Sequence, residues 1–479
     1  MADPTVKGGS TGVERPNDDN SPKKLINLLR GWPSPHLHPA SQLQAAACRT
    51  LSDPSIAVPA LQYAPDPGYQ PLREELALWL SLHYPAPPIR PDQIAITGGA
   101  SQGLACVLQS FTDPGYTRAV WANAPCYHLA CPIFDDAGFA GRLRAVPEDE
   151  GGIDVAWLER RLREEDRRNG EDHLYKSPAP HRKLYRHVIY LVATCANPSG
   201  KTLSLARREA LVRIAREHNA LIISDDVYDF LQWPITPSSP PSPSPTPSPL
   251  PPLLPLLSQL DLALGPSPHN PPGKHFSHAI SNGSFSKLVG PGVRTGWIHA
   301  TADFAHGFSQ TGSNRSGGAA SQFAAVCMHQ MLAVGDLQRH VEEVVRPALR
   351  RRHALIVAEA GRVLGGLGVR VWKGNEVFGG YFVWLTLPER LDADAAAVAE
   401  RAREEENLIV APGRIFEVKG DEEAARFPRN IRLCFSWEEE EDIVEGVARL
   451  GRVLKRMLEG VSIQPRAKAA VEANIGEFK

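Results

Sequence analysis

The sequence predicts an α/β protein in which a large domain with a mostly parallel sheet is followed by a smaller α+β domain. Three observations predict it. Between about residues 90 and 300, short apolar and β-branched runs alternate with amphipathic helical stretches. Several of these runs are apolar on both faces, as in Ala220-Leu221-Ile222-Ile223-Ser224, which suits strands covered by helices on either side. After Ser321 the pattern changes to long charged helices with a few strands between and after them.

The first 24 residues are rich in Gly, Asp, Asn and Pro and are expected to form a disordered tail. Gln93 to Thr97 reads as a strand, Gly98-Gly99 as a turn, and Ala100 to Ala105 as the opening of a helix. His187 to Thr194 is a second strand unit ending at Asn197-Pro198-Ser199-Gly200. Next comes a helix with Leu211, Ile214, Ala215 and His218 on one face, leading into Ala220 to Ser224 and then Asp225-Asp226. Short strands are expected at His278 to Ser281 and Arg294 to Ala300. Gln322 to Gly366 is predicted largely helical with a kink at Pro347. Strands are predicted at Gly380 to Leu387, Leu408 to Ala411 and Ile431 to Ser436. Residues 168–187 read as a loop, and 461–479 as a C-terminal tail.

Composition narrows the function. A hydrophobic fraction of 42% and a charged fraction of 22% are those of an ordinary globular chain. The net charge of −2 gives no footprint for a nucleic-acid partner. No window reaches the roughly 18–20 uninterrupted apolar residues of a membrane span. Met1 to Asn20 has no apolar h-region of a secretory signal. The seven cysteines are scattered, with no C-x-x-C pair, which fits a reducing, cytoplasmic setting. Proline is in excess at 43 residues, and 15 of them lie between Pro234 and Pro272. That segment is expected to loop out of the large domain as a disordered Pro/Ser-rich insert with no strand or helix. Deleting about residues 238–268 is then expected to leave the site intact.

The residues that could carry chemistry follow predicted strand ends. Lys287 in Ser284-Phe285-Ser286-Lys287 is followed seven residues on by Arg294, so hydroxyls and a guanidinium could hold a phosphate beside a nucleophilic amine. Gly99-Ala100-Ser101-Gln102 lies where a strand enters a helix N-terminus, a place suited to phosphate. Asp225 closes a buried strand, where ligands of open α/β sheets collect. A carboxylate there could pair with a protonated pyridine nitrogen. Asn197 and Tyr228 could donate to a phenolic oxygen on the same ring, and Tyr127 could stack on it. Taken singly, each has an ordinary alternative: a turn, a helix cap or a core ring.

Taken in order, the segments GGASQG, PCYHLA, NPSG, SDDVYDFL, SFSK, PGVRTGW and IRLCFS resemble class I/II aminotransferases, pyridoxal 5′-phosphate enzymes of fold type I. Within that family the chain is similar to the kynurenine/2-aminoadipate and aromatic aminotransferase group and its fungal relatives, from about Leu25 to Glu459. The resemblance implies domains: residues 25–59 and 331–460 forming the small domain, and 60–330 the large cofactor-binding one.

It also implies roles. Lys287 would be the Schiff-base lysine, which then moves the proton at the substrate Cα. Asp225 would pair with the pyridine nitrogen, and Tyr228 and Asn197 would donate to the phenolate oxygen. Tyr127 would be the stacking ring. Ser101, Gln102, Ser284, Ser286 and Arg294 would grip the phosphate, with Ala100 contributing its backbone. Tyr63 resembles the tyrosine that reaches a neighbouring subunit's phosphate, which implies a homodimer. Arg432 would clamp the substrate α-carboxylate with a bidentate fork, and Gly31 would lie beside the same group. Asp226 stands where many relatives have Glu. The implied reaction is ping-pong transfer of an amino group from an aromatic, kynurenine-type or 2-aminoadipate-type amino acid to a 2-oxo acid such as 2-oxoglutarate. Two rivals share the motifs: β-elimination by a lyase on the same scaffold, and a ligand-sensing regulator. Regulators of that kind carry an N-terminal winged-helix module, and the short, non-basic stretch before Leu25 is not expected to supply one.

Overall fold

The computed structural model describes residues 23–461 apart from 86, 168–171, 178, 236–252, 319 and 375–376. An eight-stranded sheet organises the large domain. Its order is Ile94–Thr97, Gly296–His299, Ala279–Ser284, Ala220–Ser224, His187–Leu191, Ala119–Ala124, Leu143–Asp149 and Gly152–Ile153. The five strands from Ala279–Ser284 to Leu143–Asp149 run parallel, while Gly296–His299 and the Gly152–Ile153 edge run antiparallel to their neighbours.

The strands are buried on both faces, as their apolar runs predict. Val120 and Ala122 enter one core with Leu104, Phe111 and Ile280, while Ala119 and Trp121 enter the other with Leu211, Ile214 and Ile222. This is the two-residue alternation of a sheet sandwiched by helices. The helix Ala100–Phe111 follows the first strand, and Leu205–Glu217, capped by the Ser204 hydroxyl, precedes Ala220–Ser224.

The smaller sheet is antiparallel, in the order Arg370–Val371, Phe382–Thr386, Asn430–Cys434, Ala411–Pro412. Helices Arg346–Val363 and Glu440–Leu458 pack against one another beside it. The N-terminal strand Ile26–Asn27 pairs in parallel with Leu408–Ile409, so the start of the chain joins this C-terminal unit. Lys23 extends the tie with an ion pair to the buried Glu406 at 2.7 Å. Among the described residues no helix is long and apolar enough to cross a membrane.

Three expectations need correction. The segment 234–272 is not structureless throughout. Pro234 belongs to a strand, Gln232–Pro234, and Leu257–Ala263 is a helix. Leu253, Leu256 and Leu257 are buried, and after Pro255 no proline interrupts the helix, so local leucine spacing outweighs the proline content of the segment. The proline-rich run 236–252 lies outside the described residues, as do the tails 1–22 and 462–479. Pro347 lies within a helical run that continues without a break from Asp336 to Val363, just past a π-helical turn at Val341–Val345, so the regular hydrogen-bond ladder is distorted where the proline, lacking an N–H, crowds the preceding turn. Arg294 is not in a strand, because its backbone is left-handed (φ +45°) and the strand begins at Gly296. Leu408 to Ala411 is two short strands with different partners.

Candidate active site

Five chain segments leave the C-terminal ends of parallel strands and meet in one cleft of about 460 Å³. After Thr97 come Ala100 and Ser101; after Ala124, Tyr127; after Leu191, Asn197; after Ser224, Asp225 and Tyr228; after Ser284, Ser286 and Lys287. Arg294 lies on the same wall, and the small domain adds Gly31 and Arg432. Twelve of the fourteen residues singled out in the sequence therefore line one cavity: Gly31, Ala100, Ser101, Tyr127, Asn197, Asp225, Tyr228, Ser284, Ser286, Lys287, Arg294 and Arg432.

The other two lie elsewhere. The Gln102 side chain turns back, its Oε1 accepting from the Gly98 N–H at 2.9 Å and its Nε2 donating to Cys106 Sγ at 3.0 Å. Tyr63 is 82% exposed and is outside the cleft lining, with its ring over Gly317.

One end of the cleft is built for an anion. The helix Ala100–Phe111 starts after Gly99 with no side-chain cap, which leaves its first N–H groups available. Gly99 has φ +95°, and a Cβ there would lie 2.7 Å from Arg294 Nη2, so glycine lets the guanidinium close in. Arg294 is anchored by donating to the carbonyls of Gly98 (2.7 Å) and Pro291 (2.9 Å). Opposite it, the Ser284 hydroxyl donates to Ser286 Oγ at 2.8 Å and accepts the Ser286 N–H at 3.1 Å.

Asp225 lies at the floor. Tyr190 Oη donates to its Oδ2 at 2.9 Å and Asn282 Nδ2 to its Oδ1 at 3.2 Å. Burial pushes its carboxyl up to about 6, and the Tyr190 hydrogen bond, the Lys287 charge and Asn282 offset that only in part. Lys287 Nζ donates to the Gly31 carbonyl at 2.9 Å and lies 5.2 Å from the centre of the Tyr381 ring. Burial pulls its amine down to about 8. Cys434 and Asp225 oppose the shift, while Arg432 adds to it. Burial raises the Tyr127 phenol to about 12 and lifts that of Tyr228 well above its ordinary value.

Arg432 is buried, with Nη1 donating to Asn197 Oδ1 at 2.8 Å and Nη2 to the Leu29 carbonyl at 2.5 Å. Its guanidinium lies 4.0 Å from the centre of the Phe382 ring, and its Nε has no partner among the described residues. Gly31 sits close by, where a Cβ would be 2.8 Å from Phe382 Cζ. Asp226 points away from the cleft lining, accepting from the Ser224 hydroxyl at 2.5 Å.

Sequence reasoning missed the residues that hold Asp225. Tyr190 and Asn282 lie within strands and read as core positions, although a polar Asn inside the buried strand Ala279–Ser284 was a usable signal. It also missed the apolar wall of Leu29, Trp32, Phe382 and Ile415, which carries no motif.

The donor set fits pyridoxal phosphate. An uncapped helix start, two hydroxyls and an arginine suit the phosphate; a buried, under-compensated carboxylate suits a protonated ring nitrogen; a part-neutral amine suits the aldehyde.

Comparison with known proteins agrees. The uncharacterized protein YER152C of Saccharomyces cerevisiae is 32% identical over 458 residues, covering 90% of this chain and 97% of that one. The multiple substrate aminotransferase of Thermococcus profundus aligns with a TM-score of 0.70 at 25% identity, covering 91% of this chain and 93% of that one. The α-aminoadipate aminotransferase LysN of Thermus thermophilus, complexed with N-(5′-phosphopyridoxyl)-L-leucine, aligns at 0.68 and 28% identity, covering 91% and 94%. The family model for aminotransferase class I and II matches residues 23–450, nearly the whole described chain. The protein belongs to that family and is a fold type I transaminase whose cofactor is pyridoxal 5′-phosphate.

Proposed function

We propose that this transaminase works by two half-reactions, taking the amino group of an aromatic, kynurenine-type or 2-aminoadipate-type amino acid and passing it to a 2-oxo acid such as 2-oxoglutarate. The observation that carries the reading is the buried Arg432 in the same cleft as Lys287 and Asp225, a cation fit for the α-carboxylate that every donor and acceptor of this kind shares.

Pyridoxal phosphate, when bound, supplies an electron sink for the pair released at the substrate Cα. The chain's residues do the rest. Ser101, Ser284, Ser286, Arg294 and the N–H groups after Gly99 hold the phosphate; Gln102 acts by fixing the turn through Gly98. Asp225 would hold a proton on the ring nitrogen, and its carboxyl, raised to about 6 by burial, would gain there the positive partner that Tyr190 and Asn282 do not supply. Tyr228 and Asn197 donate to the phenolic oxygen, and Tyr127 covers the ring face. Lys287 Nζ takes the Cα proton and returns it, a task suited to an amine pulled down to about 8.

Leu51, Val58, Leu61 and Tyr63 are 54%, 60%, 67% and 82% exposed. That apolar group favours burial against a second copy, with Tyr63 reaching the other subunit's phosphate. Six of the seven cysteines are buried free thiols, which supports a reducing, cytoplasmic setting.

The test is spectral. Cofactor-loaded protein should absorb in the visible, bleach on adding a productive amino acid without oxo acid, and recover its colour with 2-oxoglutarate. Lys287→Ala should abolish the band, and Arg432→Ala should raise KM for both substrates by about 10–100-fold. Release of pyruvate and ammonia without need of an oxo acid would replace the reading with elimination.

A further inference from the structure

A second chamber of about 430 Å³ adjoins the catalytic cleft, and Leu29 and Ile415 belong to the walls of both. The cleft, at about 460 Å³, has to hold cofactor and substrate together, and sites for single small ligands already span about 300–1,000 Å³. It leaves little room for a long side chain. The substrate's position is also set: Arg432, the proposed carboxylate anchor, donates to the Leu29 carbonyl itself. An amino acid anchored there lies against the wall that the two cavities share.

The chamber's wall is mostly apolar, with charged groups among its lining. Ala396 and Ala399, on the helix Ala395–Glu406, face it together with Val410 and Pro412. Its charged groups are balanced, with Arg403 and Arg414 against Asp394 and Glu400, and Asp394 is already engaged in capping the helix through the Ala397 N–H at 2.8 Å. Walls of this kind select for apolar bulk and not for a second charge. We propose that the chamber is a distal substrate subsite that takes the uncharged aryl end of an elongated amino-acid side chain, entering past Leu29 and Ile415. The inference rests on the proposed function, with Arg432 as the carboxylate anchor.

Filling the chamber tests it. In the cofactor-loaded protein, Ala396→Phe should raise KM for long aryl donors by about tenfold or more while leaving alanine within about twofold, since pocket misfits of a methylene or more have effects of that size. Calorimetry with an unreactive arylpropionate should show the same loss of affinity, with acetate as the short control. Arg414→Ala should produce no selective loss of dicarboxylic donors. If Ala396→Phe affects long and short ligands alike, or neither, the subsite is wrong. A selective loss of dicarboxylic donors in Arg414→Ala would also overturn it, by making the chamber a carboxylate site. A protein that no amino acid bleaches would refute transamination, and the calorimetric comparison would still decide the chamber. If Ala396→Phe fails to fold, Ala397→Phe fills the same space and is read in the same way.

Discussion

The two ends of the large sheet each hold a buried or half-buried aspartate in a network of hydrogen bonds, and the two networks are tuned in opposite directions. At the C-terminal ends of the strands, Asp225 receives neutral donors from Tyr190 and Asn282, and burial wins, raising its carboxyl to about 6. At the N-terminal ends, Asp166 is bridged by two imidazoles, His187 at 3.0 Å and His218 at 2.6 Å. Desolvation opposes its charge there too, but the hydrogen bonds from His187 and His218 outweigh it and hold the carboxyl well below the usual range. Asp261 belongs to the same end, accepting the N–H groups of His278 (2.6 Å) and Ala279 (3.3 Å) and pairing with Arg216 at 2.8 Å. One end is electrostatically closed. The other keeps an acid short of positive charge, which is the state that an incoming cationic ring completes.

The largest expected effect lies at the open end. Asp225→Ala should lower kcat/KM by a factor on the order of 10²–10³, the scale for losing one preorganised electrostatic partner. It should also weaken cofactor uptake, read from the visible band during titration. Near-normal turnover would mean that the unsatisfied charge at this end has no catalytic use, and the contrast between the ends would lose its meaning.

The sequence exposed one end much better than the other. Lys287, Asp225 and Arg294 follow strand ends in short, ordered motifs, so their convergence was readable from chain order alone. Tyr190 and Asn282 were not, because a residue's role inside a strand depends on which neighbour it faces, and that is set by register: Tyr190 lies opposite Ile223, next to the strand's last residue, Ser224, which Asp225 follows. The closed end has no motif at all. Asp166, His187 and His218 are far apart in sequence and meet only through packing. The helix Leu257–Ala263 was hidden for another reason, since proline content averaged over the segment masked a short leucine-rich run with no breaker in it.

Stability separates the ends next, in the cofactor-free protein. Asp225 loses its proton near 3.8 when unfolded and near 6 when folded, so the folded state loses stability as pH rises from about 4 through 6. Asp225→Asn should therefore be more stable than the parent at about pH 8, by on the order of 2–3 kcal/mol, and equal to it near pH 4. Asp166 has the opposite sign: its depressed carboxyl stabilises the fold above its ordinary value of 3.8, and that contribution is lost as pH falls through the lower folded value. Asp166→Asn should cost about 1–2 kcal/mol at pH 7, the lower part of the range for charged hydrogen bonds because the carboxylate is partly exposed. kcat should stay unchanged. Urea melts of both variants at the two pH values check these signs, and a stabilising Asp166→Asn would break the comparison.

The smallest effect is expected from removing the proline-rich run. The helix Leu257–Ala263 carries Asp261 to the closed end, and Pro255 accepts a hydrogen bond at 3.0 Å from Arg208, which is buried. A deletion reaching residue 268 would strip the strand Ala279–Ser284 of the carboxylate that holds its first N–H groups, and Lys287 follows that same strand. A deletion confined to 238–250 spares all of these contacts. It shortens the connection between Gln232–Pro234 and Leu257–Ala263, and halving a connection alters its closure cost by only about 0.6 kcal/mol. The short deletion should thus shift the melting temperature by a few degrees at most and leave the visible band in place, while the long one should lose both. Equal behaviour of the two would show that the closed end does not depend on Asp261, and that the ordered helix is as dispensable as the run before it.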